Sequence, residues 1–165
     1  MFPTTNTIQV LDLKDRRILD LVQRDAKMPQ AEIARQIGLS TAAVNERIRK
    51  LENAGFIRRY VALLDPRAVG LTVTGFVEVF IEHPRHEGQF IERALALDEV
   101  LECHHITGEF SLMLKVRTRD MESLQSLLIH QLNSLEGVRQ TRTVIALSTS
   151  KEESFVPTGV NGDAS

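Results

Sequence analysis

The apolar residues of this chain change period once, and that change constrains the fold more than any other feature. Up to about residue 60 they recur at intervals of three and four, as on helices that share a core. Past the stretch "ALLDPRAVGL", punctuated by Pro66 and Gly70, "TVTGFVEVFIE" alternates instead. Val73, Val77, Val79 and Ile81 then share one side, as on a half-buried strand. A chain of 165 residues can hold two small cores. The expected organisation is a helical domain over residues 1–62, a connector over 63–70 and a mixed domain over 71–150. A polar tail, "KEESFVPTGVNGDAS", follows over 151–165 and is expected to be exposed and weakly ordered.

In the helical domain, "LKDRRILDLVQRDA" sets Ile18, Leu21 and Val22 on one face, with Leu11 packing before the helix and Asp12 as its N-cap. "QAEIARQIG" does the same with Ile33, Ala34 and Ile37, Pro29 suiting its first turn and Gly38 its end. Leu39 is an apolar plug, and Ser40 caps a third helix, "TAAVNERIRKLENA", buried through Val44, Ile48 and Leu51. Two short helices joined by a glycine-containing turn form a helix-turn-helix. The N-terminal part of the second of them is the part that faces a DNA major groove.

On that basis Thr41, Asn45 and Arg47 are candidates for base contacts, and the small Ala42 and Ala43 allow close approach. Arg47, Arg49, Lys50, Arg58 and Arg59 are candidates for phosphate contacts. The last two lie on a short extended segment anchored by Phe56, Ile57, Tyr60 and Val61. A merely solvated helix face would show the same three basic residues on the helix. Glu46 also argues against DNA, since phosphates repel a carboxylate, although it has Lys50 one turn away as a partner. The order of helices, the glycine turn, the cap and the basic segment together favour DNA. Charge agrees: residues 1–65 hold 11 Lys and Arg against 8 Asp and Glu, and the remainder 9 against 14.

The mixed domain reads as strand, helix, strand, strand, helix, strand. "HEGQFIERALALD" is a helix with Phe90, Ile91 and Leu95 inward. "VLECHHI" and "FSLMLKV" are strands joined at "TGE"; "DMESLQSLLIHQLNSL" is a helix with Leu124, Leu127, Leu128 and Leu132 inward; "VRQTRTVIALS" is the last strand. This order is the ferredoxin-like split β-α-β fold, so the whole chain is of the α+β class. Gly75 in mid-strand marks a close approach to the backbone. Two helices cover one sheet face, and a second copy of the chain is expected to cover the other.

Catalytic and metal chemistry find little support. His104 and His105 are neighbours on a strand and point to opposite faces. His83 and His86 have a usable spacing but no further ligand pattern, and "TGEF" is a lone glycine turn. The single cysteine, Cys103, excludes an internal disulfide and a cysteine metal cluster, and is expected to pack as a small core residue. No apolar run would span a membrane and the N-terminus has no secretory pattern, so a cytoplasmic protein without cofactor is expected.

The stretches "LDLKDRRIL", "AEIARQIGLSTAAVNERIRKLENAGFIRRYVALLDPRAVG", "VLECHHITGEF" and "GVRQTRTVIAL" resemble the Lrp/AsnC family of feast-or-famine transcription regulators, over about Leu11 to Glu152. The resemblance implies an N-terminal winged helix-turn-helix domain and a ferredoxin-like effector-binding and oligomerisation domain. It implies binding of double-stranded operator DNA, dimers that assemble into an octamer or other ring of dimers, and a small-molecule effector, often an amino acid. The family's DNA-contacting positions fall here on Ser40, Thr41, Ala43, Asn45, Arg47, Lys50 and Arg58. Its effector positions fall on Thr107, Gly108, Glu109, Phe110 and Ser111, completed by Thr141 and Thr143 of the last strand. Many relatives carry an aspartate at the position of Ser111, Pro-Ser at Thr41–Ala42 and a basic residue at Glu46. A DNA-organising protein with weak sequence preference is the alternative, followed by an enzyme or carrier with a protein-binding front domain.

Overall fold

The computed structural model describes residues 10–159; the first nine residues and the last six of the expected tail lie outside them. The chain divides into two units, one of residues up to Ala62 together with the chain end from Glu152, the other Leu63–Lys151.

The first unit contains α1 (Leu13–Arg24), α2 (Gln30–Ile37) and α3 (Thr41–Asn53). Asp12 accepts the backbone N–H of Asp15 at 2.7 Å, and the Asp15 carboxylate accepts that of Asp12 at 3.4 Å, a capping box that starts α1. Gly38 ends α2 at φ 66°, and Leu39 N donates back to the Ala34 carbonyl at 3.0 Å, so the chain reverses within a few residues. Ser40 Oγ then accepts from Ala43 N at 3.2 Å and starts α3. The three helices bury Ile18, Leu21, Val22, Ile33, Ala34, Val44, Ile48 and Leu51, with Leu11, Leu39 and Ile57 packed at the margin.

Two expectations for this unit change. From Ala54 to Thr72 no residue joins a strand, and of the four expected anchors only Ile57 packs on the core. Phe56 and Val61 are exposed, and Tyr60 is held by its hydroxyl, which donates to Glu52 at 2.8 Å. The chain end, expected to be weakly ordered, is through Thr158 a strap laid on α1. Gln23 donates to the Val156 carbonyl and accepts from the Val156 N–H, both at 3.0 Å, as a strand neighbour would. Arg16 donates to the Thr158 carbonyl at 2.8 Å, and the Arg24 guanidinium lies 5.8 Å from the Phe155 ring centroid.

The second unit contains β1 (Val73–Ile81), α4 (Glu87–Leu95), β2 (Val100–His105), β3 (Leu112–Thr118), α5 (Met121–Ser126), a π-helical continuation (Leu127–Leu132) and β4 (Val138–Ile145). The sheet runs β2-β3-β1-β4 with every neighbouring pair antiparallel, the split β-α-β order. Val77, Val79, Ile81, Leu112, Leu114 and Val116 face Phe90, Ala94, Leu124, Leu127 and Leu132 of the helices. A Cβ on Gly75 would stand 3.3 Å from Val116 Cγ2, which accounts for the glycine in mid-strand. Leu95 is 62% exposed rather than inward. Five residues from Phe90 it has turned past the buried face, and Ala94, one turn on, takes that place. Phe76, Glu78, Phe80, Met113 and Lys115 alternate to the opposite sheet face and stay half-buried. Among the described residues no helix is long and apolar enough to cross a membrane.

Candidate nucleic-acid interface and effector turn

The rotational setting of α3 decides which of its side chains a ligand could meet. With Val44, Ile48 and Leu51 in the core, Thr41, Ala42, Glu46, Arg49 and Lys50 are exposed, Ala43 half-exposed, and Ser40 sits uncovered at the cap. Arg58 and Arg59 are likewise exposed, on a segment that Tyr60 ties back to Glu52. Burial, then the Glu52 hydrogen bond, pushes the Tyr60 phenol up to about 12, so it stays a neutral donor.

Two of the sequence candidates sit differently. Arg47 lies on the flank of α3, and its Nη1 donates to Asp12 at 2.7 Å and to Asp15 at 2.6 Å, the two carboxylates of the α1 capping box. Its side chain is 32% exposed and that of Asp15 20%. These hydrogen bonds raise the Arg47 pKa, while the Asp15 N–H first and Arg47 second lower that of Asp12. Arg47 thus fastens α3 to the start of α1 instead of standing free. Asn45, on the other flank, has its Oδ1 buried without a protein partner, beside Val22, Ile33, Ile48 and Tyr60. The outward Glu46 pairs with Lys50 at 2.7 Å, as the helical spacing suggests. Glu46 is not among the groove contacts that the sequence suggests; counting about 100° per residue from Val44 places it with Ala42 on the side opposite the core.

In the second unit, Ile106 N donates to the Ser111 carbonyl at 3.0 Å and closes the turn, whose Gly108 has φ 117° and nothing within 4 Å of a would-be Cβ. Thr107, Gly108 and Glu109 are exposed, and Ser111 N is bound to the Val79 carbonyl at 3.0 Å. Phe110 is only 6% exposed and lies 5.0 Å, ring centroid to guanidinium, from Arg142. Arg142 pairs with Glu78, which together with Glu109 holds it charged. Neither Arg142 nor Glu78 stands out in the sequence, because only the register of β1 with β4 brings them together. Thr141 and Thr143 register with Val79 and Val77 and face the helix layer, where Thr141 donates to Asn133 Oδ1 at 3.0 Å.

The histidines are engaged locally. His83 Nδ1 accepts from Arg85 N at 3.2 Å, and His86 Nε2 from Arg85 Nε at 2.9 Å. Among the described residues no three His, Cys, Asp or Glu side chains are grouped to hold a metal ion. Cys103 packs against the core, and burial pushes its thiol up.

Comparison with known proteins bears on both units. A winged helix-turn-helix DNA-binding model matches residues 11–58, and the Lrp/AsnC ligand binding domain model matches residues 74–156. The HTH-type transcriptional regulator FL11 of Pyrococcus abyssi is 33% identical over 147 residues, 89% of this chain and 96% of that protein. The leucine-responsive regulatory protein of Escherichia coli is 37% identical over 144 residues, 86% and 88% respectively. Among solved structures, the transcriptional regulator NMB0573 of Neisseria meningitidis, in complex with L-Met, superposes with a TM-score of 0.86 at 29% identity, over 90% of this chain and 97% of that one. With a helix-turn-helix unit in front and the matching ligand-binding fold behind, the chain belongs to the Lrp/AsnC family of DNA-binding transcriptional regulators.

Proposed function

We propose that the chain reads operator DNA in the cytoplasm through the exposed face of α3. Ser40, Thr41 and Ala43 lie at the entry to the groove, and Arg49, Lys50, Arg58 and Arg59 against the phosphates. Arg47 acts by holding α3 in place, and Asn45 on the other flank of α3 remains the candidate for a base contact. The setting of α3 carries this reading: its apolar stripe is used up in the core, which leaves Thr41, Arg49 and Lys50 facing outward beside the exposed Arg58 and Arg59.

The effector in this proposal is an amino acid. Its carboxylate meets the exposed backbone of Thr107, Gly108 and Glu109, with Phe110 and Ser111 flanking the turn, and Thr141 and Thr143 of a neighbouring copy complete the site. The leucine-responsive relative and the L-Met complex of NMB0573 support that chemical class. A second copy covers the sheet face of Phe76, Phe80 and Met113, and dimers close into an octamer or other ring. Half-buried aromatic and thioether side chains on a face without helices support the first of these steps.

The test is a titration of the protein onto the duplex upstream of its own gene and onto a shuffled duplex, with and without a panel of amino acids. A preference of about tenfold or more for the native duplex, about 1.4 kcal/mol, is expected, and it shifts with one amino acid. Equal, salt-sensitive binding to both would mark a DNA-organising protein instead, and no binding to either would sink the groove-helix proposal.

A further inference from the structure

The side chain at the crest of α3 is an acid. Val44, Ile48 and Leu51 point into the core at 0%, 7% and 4% exposure. At about 100° per residue the opposite direction falls among Ala42, Glu46, Arg49 and Asn53. Of these, Ala42 and Glu46 lie in the N-terminal half, the part of a recognition helix that reaches base edges. The Glu46 side chain is 67% exposed.

Its surroundings hold it ionised and aimed. Lys50 Nζ lies 2.7 Å from Glu46 Oε1, which leaves Oε2 uncovered, and Arg49 stands on the other side of the crest. The hydrogen bond from Lys50 lowers the Glu46 pKa most, with Arg47 and Arg49 adding smaller effects. Two flanking cations also offset the repulsion that a lone carboxylate would meet from the phosphates.

An ionised carboxylate only accepts hydrogen bonds. In the major groove cytosine presents a single polar group, the N4 amino donor, whereas guanine presents two acceptors and thymine one. Adenine offers a donor beside an acceptor, a match for an amide and a poorer one for an acid. Ala42, one turn earlier, carries only a methyl group, too small to keep the base edge away.

We propose that Glu46 is a specificity-determining residue, whose carboxylate accepts the amino group of one cytosine in each half-site while Lys50 orients it. This rests on α3 entering the major groove, so the experiment must separate the two.

Full-length wild type, E46Q and E46A would each select from a pool of randomised duplexes, and the selected sequences would then be titrated. The helix surface tolerates both changes, and thermal unfolding of each variant checks that it is folded. Wild type is expected to enrich a C·G pair at one position per half-site and to lose about tenfold or more when that pair is exchanged. E46A should bind both duplexes alike and hold mixed-sequence DNA more tightly than wild type, the repelling charge being gone. E46Q should shift the enriched base from cytosine toward adenine. If E46A selects the same sequence as wild type with affinity raised uniformly, Glu46 is only a surface charge and the proposal fails while the DNA-reading helix stands. If wild type selects no sequence at all, the groove-helix proposal fails and takes this one with it.

Discussion

In the helical unit the starts of α1 and α3 are set by a side chain a few residues away, as Asp12 with Asp15 and Ser40 with Ala43. In the sheet unit the central strand β1 is set by residues far along the chain, as Val77 between Leu114 and Thr143. Short-range determinants let one side chain be altered with local effect, whereas a central-strand change reaches every neighbour. A reading surface can therefore vary its exposed positions on α3 while the assembly fold stays as it is.

The largest test of this contrast is Leu114→Ala, a fully buried position on β3 between β2 and β1. It should cost about 2–5 kcal/mol, read by urea denaturation, and should leave the helical unit's own transition in place. Loss of both units in one transition would show that their cores are not independent. Next comes a paired comparison on α3. Arg47→Ala should lower the stability of the helical unit by about 1 kcal/mol and leave the salt dependence of DNA binding as it was. Arg49→Ala should leave stability alone and reduce the salt slope by about 1. The reverse pattern would mean that the Arg47 pairing with Asp12 and Asp15 opens on DNA.

The smallest effect concerns acid. Asp12 and Asp120, the N-caps of α1 and α5, both have lowered carboxyl pKa values, each chiefly through a backbone N–H. A carboxyl depressed in the folded state stabilises fully above its ordinary value near pH 4 (about 3.9) and loses that contribution as pH falls through the folded value. Asparagine caps nearly as well but carries no charge. Asp120→Asn should therefore change only the acid limb of the sheet unit. Asp12→Asn should in addition lower stability at neutral pH, because Arg47 loses a charged partner. Equal effects at neutral pH would remove the special role given to the Arg47 link.

What is legible in the sequence divides along the same line. The caps, the turn at Gly38, the α3 stripe and the alternation of β1 are all local patterns, and the order of the residues is enough to show them. The partners of Arg47 lie 35 and 32 residues away and carry no periodic signal, so in the sequence Arg47 looks like one more exposed cation. Apolar character alone points to Leu95 for the inward place on α4, which helical phase gives to Ala94. At the turn proposed for the effector, Gly108 and its neighbours can be found from the motif, but the Phe110–Arg142–Glu78 cluster needs the register of β1 with β4. The reciprocal hydrogen bonds between Gln23 and Val156 span 133 residues and leave no mark in the tail's composition.

That last link bears on the order in which the protein is made. Chains emerge from the N-terminus, and small helical units form as they emerge. The α1 side chains that hold Phe155, Val156 and Thr158 cannot receive them until those residues have been synthesised. Until then Gln23, Arg16 and Arg24 lack these partners, even though all three helices left the ribosome long before. The helical unit is in this sense completed only after the sheet unit has been made.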